Sequence, residues 1–210
     1  MKNNLPDTAY LQALPQPSAE RPLPILFSSC IAGKLCGWDG SSYGEFPLAL
    51  QIYRHKLVKP VLFCPEDFVF GTPRALCNIH GGDGFDVLDG KAKVLTESGE
   101  DWTEGMLHSA QRMLQIAKDR EADLALLMDI SAACGSQVIY NGKRTTEAPV
   151  YQAGPGVCAA LLIRNGFRVV SQRDFRTLGL IMKWLDPAFE GEKDAKDHHE
   201  HPWYKEYFNT

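Results

Sequence analysis

Pro24-Ile25-Leu26-Phe27-Ser28-Ser29-Cys30 is the stretch from which the fold is read. Its apolar run is continuous rather than alternating and stops at a polar turn, which suits a strand covered on both faces. The pattern recurs at Pro60-Val61-Leu62-Phe63, at Ala122 to Met128 and at Phe167-Arg168-Val169-Val170. Helical signals lie between these runs. Asp101-Trp102-Thr103-Glu104 has the form of a capping box, and Trp102, Met106, Ala110, Met113, Leu114 and Ala117 follow as one apolar stripe. Pro155 suits the first turn of a helix over Val157 to Arg164 that Gly166 ends, and Ser171 with Asp174 opens a last helix toward Trp184. Asp89-Gly90, between Val87 and Val94, and Asn141-Gly142, after Ile139-Tyr140, read as hairpins or tight turns. Strands alternating with helices predict an α/β fold, a single domain with a mostly parallel sheet flanked by helices.

Around that domain (residues 23–185) the composition changes. Residues 1–22 form a Pro-rich N-terminal arm, which reads as irregular, and residues 186–210 a charged C-terminal extension. Within the extension, His198-His199-Glu200-His201 has the residue types of a metal site but the charged setting of a solvated tail. The chain has 210 residues, 44% hydrophobic and 23% charged, long enough to bury a core without disulfides. No apolar run approaches the ~20 residues of a transmembrane helix, so no membrane partner is expected. A net charge of −4 argues against extensive nucleic-acid binding and for a small-molecule substrate. Lys2-Asn3-Asn4-Leu5-Pro6 lacks the apolar core of a signal peptide, which makes the reducing cytoplasm the expected location.

Six cysteines therefore call for another explanation than disulfides. Cys30 follows the first expected strand, Cys64 ends the second, and Cys134 lies a short loop beyond the third. The crevice beyond the carboxyl ends of parallel strands is where such sheets bind ligands. Three thiolates converging there would suit a [4Fe–4S] cluster with one iron left open. Buried apolar filler is the competing reading of any free cysteine, and it is the one adopted for Cys77 and Cys158. Cys36 stays open between the two.

The loops around these cysteines decide between the alternatives. Ser28-Ser29-Cys30-Ile31-Ala32-Gly33 with Cys36 to Gly40, Cys64-Pro65-Glu66 with Pro73-Arg74, and Asp89-Gly90 to Val94 follow one another in order. Cys134-Gly135-Ser136 with Tyr140-Asn141-Gly142, and then Gly154-Pro155-Gly156-Val157, complete the series. Together they resemble the small iron–sulfur family of thiouracil desulfidases, from about Ile25 to Ser171. Two segments depart from that pattern. Asp129 to Gly135 lacks the lysine and proline of the usual K-x-S-P-S-C-G run, and Gly37-Trp38 replaces a common Arg-Tyr pair.

The resemblance implies a [4Fe–4S] cluster held by Cys30, Cys64 and Cys134 at the carboxyl ends of the strands. It implies a non-redox exchange of a thiocarbonyl sulfur for oxygen on a small thiolated pyrimidine base or nucleoside. Glu66 is the expected general acid/base, and Ser136 a nucleophile or a group that positions water or ring. Arg74 would receive a phosphate or a ring carbonyl, Asp39 a ring N–H, and Trp38 would stack on the base. Taken alone, each has a plainer reading: a loop carboxylate for Glu66, turn residues for Ser136 and Asp39, a surface ion pair for Arg74, packing for Trp38. Two activities compete with the leading one: an iron–sulfur redox sensor without turnover, and desulfuration of thiouridine in tRNA. A metal-free nucleotide-binding protein is the further alternative.

Overall fold

The computed structural model describes residues 4–208; the signal-peptide reading of Lys2 and Asn3 lies outside them. Helix α1 (Thr8–Ala13) precedes strand β1 (Leu23–Ser28), and α2 (Pro47–Arg54) leads to β2 (Val58–Phe63) and α3 (Pro65–Phe70). Next come β3 (Cys77–His80), α4 (Gly84–Leu88), β4 (Lys93–Thr96) and the long α5 (Thr103–Asp119). The chain continues through β5 (Leu124–Leu127), β6 (Val138–Tyr140), β7 (Tyr151–Ala153), α6 (Val157–Arg164), β8 (Arg168–Ser171) and α7 (Phe175–Leu185). A 3-10 turn (His198–Glu200) and α8 (Pro202–Glu206) complete it.

The four expected strands form one parallel sheet in the order β2-β1-β5-β8. Central β1 and β5 are buried almost throughout, as their continuous apolar runs require. Strand β2 is an edge and half-exposed, which is where Pro60 can be placed without costing an inner ladder bond. Helix α7 packs on α1 and α2, whereas α5 packs on α3 and α6, and α6 on α4. The chain leaves β1 toward β2 on one side, and β5 pairs with β1 on the other. The switch point therefore lies between the ends of β1 and β5.

Local details differ from the sequence reading. The stripe of α5 is buried as expected, but Trp102 is the residue before the helix, and Asp101 accepts from the Thr103 amide and Lys93 without any bond to Glu104. No capping box forms there. One forms instead at α4, where Asp83 accepts from the Phe85 and Asp86 amides and Asp86 accepts from the Asp83 amide. Val87 is thus helical, Asp89-Gly90 ends a helix rather than a hairpin, and Val94 pairs with Ile79. Asn141-Gly142 makes a turn, with Gly142 at φ +93°, but β6 and β7 pair across the longer 141–150 connection. Helix α6 starts after Gly156, which leaves Pro155 just outside it.

Both ends of the chain are more ordered than their composition suggests. The arm contains α1, capped by Asp7, whose Leu11 is buried. The charged extension folds back, and His198 is fully buried, so the solvated-tail reading does not hold there.

Candidate functional site

Parallel register brings the ends of β1, β2 and β5 to one side of the sheet. After β1 the chain tightens into a 3-10 turn over Ser29–Ala32 that carries Cys30 and closes on Gly33 at φ +82°. Cys64 caps α3: Pro65 starts the helix, and the Asp67 amide donates to the Cys64 sulfur at 3.4 Å. Beyond β5, the Ser131 hydroxyl accepts from the amides of Ala133 and Cys134 at 3.2 and 3.1 Å, folding a turn around Cys134. That turn sits on the start of α6, which has no side-chain cap. The Val157 and Cys158 amides donate to the carbonyls of Ala132 and Ala133 instead.

Cys30, Cys64 and Cys134 line one cavity of about 350 Å³, together with Cys36 and Cys77. The Cys36 thiol lies within hydrogen-bonding reach of Cys30 and Cys64; its contact with Cys30, partly offset by Cys64, pushes its pKa up to about 11. Cys64 is also pushed up, first by Cys36 and then by burial, and Cys134 by burial. Such thiols stay neutral unless a cation supplies the compensating charge. Three soft donors from beyond three strand ends, two buried and Cys64 half-buried, around one cavity, fit an iron–sulfur cluster. Among the described residues no three His, Cys, Asp or Glu side chains converge tightly enough for a single metal ion. A cluster binds each cysteine at a different iron, so its ligands surround a volume rather than a point. Cys77 faces this cavity from β3, while Cys158 is fully buried in α6, a filler position.

Glu66 enters the same cavity from the first turn of α3. Arg74 donates to one of its oxygens at 2.9 and 3.2 Å, and Ser131 to the other at 3.3 Å. The remaining Arg74 donors go to the carbonyls of Gly71 and Cys36 and to the Thr72 hydroxyl. Burial alone lowers the Arg74 pKa, but the adjacent carboxylate more than reverses this. Arg74, itself part of the cavity lining, therefore holds Glu66 and the Cys36 loop. Trp38 stands half-open at the cavity mouth, its carbonyl accepting from the Arg74 amide. Asp39 is exposed, away from the cavity lining, and accepts from the Ser41 amide and hydroxyl. Ser136 also lies outside the lining; its amide donates to Asp129, and its buried hydroxyl has no hydrogen-bond partner.

Several wall residues escaped the sequence reading. Ser131, Tyr140, Arg144 and Arg173 line the cavity, as does Asp129. Arg144 is tied to the Asn78 side chain and the Cys77 carbonyl. Asp129 is fully buried and accepts from the amides of Ile130, Ser136, Gln137 and Val138 and from the His198 ring. Burial acts against its charge, yet the His198 contact and these amides hold the carboxyl below the usual range. Ile130 beside it sits at φ +57°, a strained region for a β-branched residue. Ser131 had a signal, since it stands three residues before Cys134. Asp129 was visible only as a departure from a family pattern, and His198 only within a histidine cluster read as a solvated tail.

The sequence profile of the 2-thiouracil desulfurase family matches residues 25–174. An uncharacterised Bacillus subtilis (strain 168) protein, YbbK, is 40% identical over 158 residues, which span 73% of this chain and 99% of that one. The structure is similar to that of the [4Fe-4S]-dependent thiouracil desulfidase TudS, with a TM-score of 0.61 and 31% identity over 77% of this chain and 98% of that one. On sequence and fold, the chain belongs to the 2-thiouracil desulfurase family.

Proposed function

We propose that the protein is a [4Fe–4S]-dependent desulfidase that replaces the thiocarbonyl sulfur of a small thiolated pyrimidine base or nucleoside with oxygen from water. The observation that carries this reading is the meeting of Cys30, Cys64 and Cys134 with Glu66 in one cavity. Those cysteines would hold the cluster, which when bound supplies an iron free of protein ligands, a Lewis acid with affinity for sulfur. The C=S carbon gains a C–O bond from water and loses its C–S bond, so sulfide leaves and no electrons are exchanged.

The chain's own groups move the protons. Glu66 takes one from the attacking water and delivers it to the departing side. Arg74 and Ser131 fix both carboxylate oxygens, which sets the direction from which Glu66 acts. Trp38 covers the ring at the mouth. Ser136 and Asp39 support loops rather than the reacting atoms. A cavity of about 350 Å³ matches a base or nucleoside better than a folded tRNA.

Anaerobic purification tests the reading. About four iron and four sulfide per chain are expected, and their loss in Cys64→Ala. Sulfide release from 2- or 4-thiouracil should disappear in Glu66→Gln with the cluster retained; loss of turnover in that loaded variant separates an enzyme from a redox sensor. A fully loaded protein that desulfurates no thiolated base or nucleoside overturns the proposal.

A further inference from the structure

The family match ends at residue 174, yet a side chain from far beyond it bonds to Asp129, a residue of the cavity wall. His198 is completely buried, and its Nδ1 meets Asp129 Oδ2 at 2.5 Å. Its backbone amide donates to Asp174 Oδ1 at 3.0 Å, at the head of α7. The neighbouring Asp197 is anchored there too, accepting from the amide and hydroxyl of Thr177 and pairing with Arg176. Rings of Trp203, Tyr204 and Tyr207 surround the imidazole at 4.9 to 6.0 Å.

Asp129 is the hub of the loop that carries Cys134. One of its oxygens gathers the four amides of Ile130, Ser136, Gln137 and Val138, which draws both ends of the loop to one point. The other oxygen is left for His198. Gln137 closes a circuit: its amide donates to Asp129, and its side chain donates to Asp174 at 2.6 Å, the same carboxylate that receives the His198 amide. Loop, α7 and C-terminal segment thus share one buried hydrogen-bond ring, which is satisfied only when the segment is in place. The same network restrains Ile130 in its left-handed conformation, next to the Ser131 that orders Cys134 and touches Glu66.

We propose that residues 197–207 act as a strap whose His198, through Asp129, positions the cavity loop bearing Cys134 and Ser131. His198 and Asp129 are positioning residues; neither is assigned contact with substrate. The consequence for the cluster rests on Cys134 being a ligand, whereas the ordering of the loop does not.

The test compares wild type, His198→Ala and His198→Gln, the last retaining a side-chain N–H donor. Hydrogen exchange of the Ile130, Ser136, Gln137 and Val138 amides is measured on apoprotein. At least about tenfold faster exchange is expected in His198→Ala, with β1 amides unchanged and partial recovery in His198→Gln. In the loaded protein, a chelator should strip the cluster from His198→Ala about tenfold faster, with recovery in His198→Gln. Unchanged loop exchange, or acceleration equal to that in β1, overturns the strap. Altered loop exchange with wild-type cluster loss overturns its link to Cys134. A wild type that binds no iron refutes the cluster reading while the exchange result still decides the ordering of the loop.

Discussion

Arg74 was expected to meet substrate; the structure places it in the cavity lining with its guanidinium bonded to Glu66, the two side chains only 3% and 18% exposed. A buried pair of this kind is strongly destabilised by losing one member, because the survivor keeps its charge without a counter-ion. Arg74→Ala should therefore cost about 3 kcal/mol in urea denaturation. It should also reduce kcat more than KM, since Glu66 loses its orientation. Arg74→Lys should recover little, as one ammonium cannot span Glu66, the Gly71 and Cys36 carbonyls and Thr72 together. Cys36, left open by the sequence, touches both Cys30 and Cys64. If three cysteines hold the cluster, Cys36→Ser should keep about four iron per chain, whereas Cys30→Ser should not. Equal iron loss in both variants would make Cys36 a ligand.

Among the elements, α6 and the turn before it show how packing rather than composition shapes the site. Its first amides are satisfied by Ala132 and Ala133, which brings Gly156 against the Ser131 turn. A Cβ at Gly156 would lie 2.5 Å from the Ser131 carbonyl oxygen and 2.6 Å from that of Ala132, backbone atoms that cannot rotate away. Gly156→Ala should cost about 2–3 kcal/mol and lower iron content, because the turn that moves is the one carrying Cys134. A loaded, wild-type-stable Gly156→Ala protein would contradict this. The four strands were legible in the sequence through unbroken apolar runs, whereas Gly156 stood out only as part of a family-like motif. The role of Asp89-Gly90 was not legible: the dipeptide suits a hairpin and a helix end alike, and the Asp83–Asp86 cap upstream decided for the helix.

For the molecule as a whole, the circuit joining α7, the Cys134 loop and the C-terminal segment contains opposed titrations. Burial, reinforced by Asp129 and Asp197, raises Asp174 from 3.8 to about 7 despite the Ser171 and His198 amides. The native state therefore holds this proton more tightly than the unfolded chain. Its contribution to stability is complete below about pH 4 and is lost as pH rises through about 7. Asp129 acts in reverse: its contribution is present above the ordinary carboxylate range and is lost as pH falls through its lowered value. Urea denaturation should show stability declining between pH 5 and 7, by at most about 1.4 kcal/mol per unit for one proton. Asp174→Asn should flatten that limb. A wild-type profile that rises over the same interval would place the dominant titration elsewhere.

The sequence by itself determined the parallel sheet, its flanking helices and the position of three cysteines just past strand ends. Each of these follows from local chemistry: apolar periodicity, turn residues and chain direction. Only the tertiary structure decided what the neighbouring groups do. It ordered the strands so that the switch point falls between the ends of β1 and β5, near Cys30 and Cys134. It turned Arg74 onto Glu66 and carried His198 across 69 positions of chain to Asp129. Such contacts join residues with no local pattern in common. A buried charge is defined by the partner that folding brings to it, and that partner can come from any part of the chain.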